Sequence, residues 1–132
     1  MKHTDQELID AAVDVRTRAF APYSNFKVGA AVETDEGVIY TGCNVEAASY
    51  GLTNCAERVA IQKAVSDGGR KFARLAVVVD TEVLTAPCGA CRQIIWEFCG
   101  DVPVILSNLD GKTETIQMSE LLPRAFDSKF LM

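Results

Sequence analysis

The sequence predicts an α/β protein, a three-layer α/β/α sandwich around a mixed sheet of about five strands. Three observations carry this prediction. An amphipathic helix opens the chain, two strands joined by a tight turn follow, and then helix and strand alternate. The alternating part contains two runs, "LAVVV" and "VPVIL", that are apolar throughout, as strands covered on both faces are. At 132 residues the chain is expected to form one domain over 1–132. Such a domain buries roughly two thirds of the surface of its unfolded form.

Each element follows from a local pattern. Residues 4–20 read as a helix, with Thr4 and Glu7 spaced as a capping box and Leu8, Ala11, Ala12, Val15 and Ala19 on one stripe. "APYSN" breaks it. Phe26, Val28, Ala30 and Val32 then alternate with Lys27, Gly29, Ala31 and Glu33 as in a strand with one buried face, and "DEG" turns the chain into "VIYTGCN" as a hairpin. Residues 45–53 have no clear period and read as a loop. A helix is expected over 55–66 behind Asn54 as its cap, then a strand at 75–80 and a loop "TEVLTAP". A helix from Cys88 to about Phe98 leads to the strand "VPVILSN", a turn at "LDG", a strand near 113–117 and a short helix at 119–122.

Composition narrows the function. The net charge is −5 and the 13 basic residues form no stripe, so a phosphate backbone would be repelled and no nucleic-acid partner is expected. No apolar run approaches membrane-spanning length, and "MKHTDQELID" has no signal-like core, so no membrane partner and a cytoplasmic location are expected. Five cysteines, at 43, 55, 88, 91 and 99, are an odd number without an export signal. Reduced thiols, metal ligands or catalysis explain them better than a disulfide framework. His3, alone in a terminus expected to be mobile, receives no role.

The chemistry concentrates at two helix starts. "PCGAC" puts Cys88 and Cys91 on one face at the beginning of a helix, where free N–H groups lower thiol pKa values, and Cys55 holds the equivalent place on the preceding helix. Three thiolates meeting there would need a cation, and a soft tetrahedral sulfur set points to Zn²⁺. A fourth cysteine, Cys43 or Cys99, would make the site structural; water in the fourth position would make it hydrolytic, with Glu57 beside it to take a proton. The plainer reading of Glu57 is a first-turn acid that complements the helix dipole.

"CAE" followed by "PCGAC", with "PYSNFKVGAA", "GCNVE" and "ELLPRAF", resembles the small homotetrameric zinc-dependent cytidine deaminases over nearly the whole chain. The resemblance implies the cytidine deaminase-like fold, one Zn²⁺ per subunit on Cys55, Cys88 and Cys91, and the chemistry described generally for zinc deaminases. In it, activated water attacks carbon 4 of cytosine and Glu57 relays the proton to ring nitrogen 3 and then to the departing amine. The resemblance also implies a homotetramer with pockets shared between subunits, acting on a nucleoside in pyrimidine salvage.

The same resemblance distributes further roles. Arg58 donates to the ligand thiolates, Asn44 and Glu46 hold the ribose, Phe26 packs on the pyrimidine, and Ala56 offers a backbone contact to the base. Tyr50 and Phe126 enter the neighbouring subunit's pocket. Arg58 and Glu46 have a plainer alternative as surface residues, and Phe26, Tyr50 and Phe126 as packing residues. Ala47 stands where the family often has asparagine, which puts a polar sugar contact in doubt. A blasticidin S-type antibiotic deaminase is the nearest alternative enzyme. A C-x-x-C thiol–disulfide oxidoreductase and a non-catalytic zinc module are rivals from other classes, and the first leaves Cys55, Glu57 and "CNVE" unexplained.

Overall fold

The computed structural model describes residues 2–131. Helix α1 (Asp5–Arg16) opens with the expected capping box, the Glu7 N–H donating to Thr4 Oγ1 and the Thr4 N–H to Glu7 Oε1. Its stripe of Leu8, Ile9, Ala12 and Val15 is buried. The helix stops short of the expected end because the backbone at Phe20 is recruited elsewhere. The Phe20 N–H donates to Asn44 O at 3.0 Å and the Glu46 N–H donates to Phe20 O at 2.9 Å.

Strands β1 (Val28–Thr34) and β2 (Ile39–Cys43) form the expected hairpin, with Gly37 at φ 87° in its turn. Then come α2 (Ala56–Ser66), β3 (Phe72–Val79), α3 (Gly89–Cys99), β4 (Pro103–Ser107), β5 (Thr113–Gln117) and the short α4 (Met118–Leu121). The five strands form one sheet in the order β2-β1-β3-β4-β5. Only β3 and β4 are parallel neighbours; the other pairs are antiparallel.

This topology brings two helix starts together. Because β1 runs against both β2 and β3, the strands β2, β3 and β4 share one direction. Helix α2 crosses from β2 to β3 and α3 from β3 to β4, both moving the same way along the sheet. Two crossovers of the same hand moving the same way must lie on the same face. Accordingly Ala60 and Ile61 of α2 and Ile95 of α3 pack with Ala30, Val32, Leu75, Val77, Val104 and Leu106. The strand residues between these, Ala31, Ala76, Val78 and Ile105, face the opposite way and meet Leu8, Ile9 and Ala12 of α1. The mixed five-strand sandwich is thus as predicted. Each Val, Leu or Ile fully buried in it contributes roughly 1.5–3 kcal/mol.

The one-sided alternation expected for β1 does not hold. Helices cover both faces, so every residue from Gly29 to Thr34 is buried, including Glu33. Phe26 lies before the strand and is 43% exposed. The terminus expected to be mobile is tethered: the N–H groups of Lys2 and His3 both donate to Glu33 Oε2 at 3.1 Å, and His3 Nε2 lies 2.9 Å from Gly37 O. Among the described residues, no helix is long and apolar enough to cross a membrane.

Candidate active site

Strands β2 and β3 end at the same edge of the sheet, so α2 and α3 begin there side by side. Close packing of α2 on β2 fixes its height. A Cβ on Gly42 would lie 2.4 Å from the Ala60 amide nitrogen and 2.5 Å from Ala56 O, so the helix rests directly on the strand's backbone. Just before α2, Val45 and Asn54 exchange backbone hydrogen bonds of 2.9 and 3.0 Å. The backbone of Asn54 is therefore held in a bridge, and the N-cap of α2 is Cys55 rather than the expected Asn54.

Cys88 is the N-cap of α3, and Cys91 follows in its first turn. Neither capping cysteine uses its sulfur to cap its own helix. The sulfurs of Cys55, Cys88 and Cys91 instead converge, all within 4.8 Å of one another. Neither Cys43 nor Cys99 joins this group. Cys99 sits at the far end of α3, where burial pushes its thiol up to about 12. Both are partly buried. The closed four-sulfur alternative therefore has no fourth cysteine among the described residues, and a redox reading of "CGAC" leaves the third sulfur without a purpose.

The donor chemistry fits a soft divalent cation. The neighbouring Cys91 thiol, and with it Arg58, hold the pKa of Cys55 down at about 5 against the effect of burial. The same partnership with Cys55, together with burial and the Glu57 charge, pushes Cys91 up. One sulfur thus ionises readily and the next resists, and a cation is what allows all three to ionise together. Arg58 Nη2 donates to Cys55 Sγ at 3.3 Å and to Thr53 O at 3.4 Å. Its Nε is buried with no acceptor among the described residues, a further donor beside the sulfurs.

Glu57, one residue into α2 from Ala56, is 4% exposed. Burial pushes its carboxyl up to about 7, the charge of Cys55 adding to the rise while its own backbone N–H opposes it. It lines a cleft of about 270 Å³ together with the three cysteines, Phe26, Asn44, Glu46 and Ala56. The cleft thus gathers a metal-ligand set and a buried carboxyl able to take up a proton near neutrality within a largely apolar lining.

This set of residues, in this order on this fold, has known counterparts. The model for the cytidine and deoxycytidylate deaminase zinc-binding region matches residues 2–106. The chain belongs to this family. A cytidine deaminase of Sporosarcina psychrophila is 53% identical over 127 residues, covering 96% of this chain and 93% of that protein. A blasticidin-S deaminase of Bacillus cereus is 32% identical, covering 90% and 89%. The crystal structure of a cytidine deaminase from Burkholderia pseudomallei superposes with a TM-score of 0.91 at 50% identity, covering 94% of this chain and all of that one. The zinc cofactor of the family therefore has its ligand cluster here in Cys55, Cys88 and Cys91.

Other residues singled out in the sequence are placed less simply for a deaminase. Asn44 is buried and braces the backbone before β1, its amide donating to Phe26 O at 2.8 Å and its Oδ1 accepting from the Val28 N–H at 2.9 Å. Glu46 accepts from the turn before β1, from the Tyr23 and Ser24 N–H groups at 3.0 and 3.1 Å and from the Ser24 hydroxyl. At the Ala47 position the backbone N–H donates to Thr53 Oγ1 at 3.1 Å. Tyr50 and Phe126 lie outside the cleft. Tyr50 is 73% exposed and meets the edge of Tyr23, while Phe126 stacks on Phe130 at 5.5 Å between centroids. Sequence reasoning missed Ser24 and Thr53 as cleft residues. The polar turn "YSN" was the available signal for the first.

Proposed function

We propose that the chain, working as one domain over 1–132, hydrolyses cytidine and 2′-deoxycytidine to uridine and 2′-deoxyuridine with release of ammonia. The observation that carries this reading is the convergence of three sulfurs at two helix starts beside the buried Glu57. A zinc ion held by Cys55, Cys88 and Cys91 supplies Lewis acidity that makes water a nucleophile near neutral pH. Glu57 accepts one proton of the attacking water and passes it to ring nitrogen 3, then takes the remaining proton from the hydroxyl on carbon 4 and delivers it to the amine as the carbon 4–nitrogen bond breaks. Its burial and raised pKa suit both directions of transfer. Arg58 steadies the sulfur charge at Cys55.

Phe26 supplies an apolar face for the pyrimidine, Ala56 a backbone contact to the base, and Asn44 with Glu46 the partners of the ribose hydroxyl. All four line the cleft. A 3′-phosphate would meet the Glu46 carboxylate as a like charge, so free nucleosides are the substrates and polymers are not. The active form is a homotetramer in the cytoplasm that serves pyrimidine salvage. The exposure of Tyr50, Phe126, Phe130 and Leu131 supports burial against other subunits, with Tyr50 and Phe126 reaching neighbouring pockets.

The blasticidin-S deaminase relative keeps one alternative in view. Following the ultraviolet band of cytidine, 2′-deoxycytidine and blasticidin S with zinc-loaded protein decides between them. Turnover of both cytosine nucleosides with blasticidin S far slower supports this reading; turnover of blasticidin S alone overturns it.

A further inference from the structure

The turn Tyr23-Ser24-Asn25 leads into β1 and ties together two parts of the cleft. Asn25 adopts the left-handed region at φ 57°, and the Tyr23 and Ser24 N–H groups both donate to Glu46 Oε1. The Ser24 hydroxyl donates to the other carboxylate oxygen, Oε2, and accepts from the Phe26 N–H at 3.0 Å. A carboxylate offers about four acceptor sites. Two on Oε1 and one on Oε2 are occupied, so the acceptor site left for a ligand is on Oε2, the oxygen that Ser24 holds. Ser24, Glu46 and Phe26 line the same cleft.

We propose that Ser24 is a positioning residue that sets specificity for a free sugar hydroxyl by fixing Glu46 as an oriented acceptor. A carboxylate held by three donors and kept ionised accepts a hydroxyl proton and rejects groups that bring an acceptor or negative charge. The Ser24 hydroxyl is also the largest influence holding Glu46 below the ordinary carboxylate range, with burial opposing it. The bond from the Phe26 N–H to Ser24 has a different consequence. Its loss would disturb the base-binding aromatic for every substrate alike, whereas loss of the bond to Glu46 would act on substrates that carry the hydroxyl.

This inference rests on reading Glu46 as a ribose contact, and the test separates the two. The ratio of kcat/KM for cytidine to that for 3′-deoxycytidine is measured on zinc-loaded wild type, Ser24→Ala, Ser24→Thr and Glu46→Gln. Being a ratio on one preparation, it is unaffected by partial loss of folded enzyme. Ser24→Ala is expected to lower the ratio roughly tenfold, the effect of losing a hydrogen bond to a charged group, and Ser24→Thr to restore it. An unchanged ratio in Ser24→Ala with a collapsed ratio in Glu46→Gln overturns the role of Ser24 and leaves the ribose reading standing. An unchanged ratio in Glu46→Gln overturns both.

Discussion

Arg74 and Glu33 form an ion pair in the interior of the protein. Arg74 Nε donates to Glu33 Oε1 at 2.8 Å, with the two side chains 3% and 0% exposed. The pair is extended to the N-terminus, since Arg74 also donates to Asp5 and to His3 O while Glu33 accepts from the Lys2 and His3 N–H groups. Arg74→Met strands a buried carboxylate and should destabilise the fold by about 3–5 kcal/mol, read from denaturant unfolding. The double variant Arg74→Met/Glu33→Gln should recover part of that loss. A double variant no more stable than the single one would show that the pair is not the unit that matters.

The same pair should shape acid stability. Burial raises the Glu33 pKa, but hydrogen bonds and charge from Arg74 and the Lys2 N–H outweigh it, so the folded value lies below the ordinary one. A depressed carboxyl adds stability above its unfolded pKa and loses it as pH falls through the folded value. Melting temperatures taken from neutral pH downward should therefore fall more gently in Glu33→Gln than in wild type. Parallel curves would contradict the sign.

His3 offers the opposite sign at one resolvable signal, because the chain has one histidine. The Glu7 carboxylate and then the Gly37 carbonyl raise its pKa above 6.5, with burial opposing them. A raised histidine adds stability below its unfolded pKa and loses it as pH rises through the folded value. An NMR titration of the ring should give a midpoint above 6.5, and Glu7→Gln should bring it down. A wild-type midpoint at or below the unfolded value would mean that the tether of His3 is not formed in solution.

Gly42→Ala tests the contact that sets the height of α2. The added Cβ meets backbone atoms of Ala56 and Ala60 closer than any relaxed contact, so the helix must shift. Overpacking of this kind costs about 1–3 kcal/mol. Because the shift carries Cys55 and Glu57 with it, zinc content and turnover should fall together with the melting temperature. Loss of stability with full zinc and full turnover would show that the helix absorbs the strain elsewhere.

The parts of the fold legible in the sequence were those set by local pattern. The capping box of α1, the hairpin, the buried strands β3 and β4 and the cysteines at two helix starts all depend on residues close in the chain. What was missed depended on distant partners. Glu33 looked solvent-facing because alternation says nothing about an arginine 41 residues away. Asn54 looked like a cap because its bridge to Val45 has no local signature. Likewise the bonds from the turn at Ser24 to Glu46 span 22 residues, and only the folded chain brings them together.

Glu57→Gln distinguishes chemistry from architecture at the metal centre. Glutamine keeps the shape of a side chain that is almost fully buried but cannot accept and return a proton. Removing a general acid–base group typically slows a reaction about 10²–10⁴-fold. Turnover of cytidine should fall by at least that factor while metal analysis still finds one zinc per chain. Cys88→Ser, by contrast, should lose zinc and turnover together, and Cys43→Ser should keep both. Should Glu57→Gln bind zinc and still turn over cytidine at more than about a tenth of the wild-type rate, the carboxylate is not the proton carrier. The first-turn dipole reading of Glu57 would then be the better one.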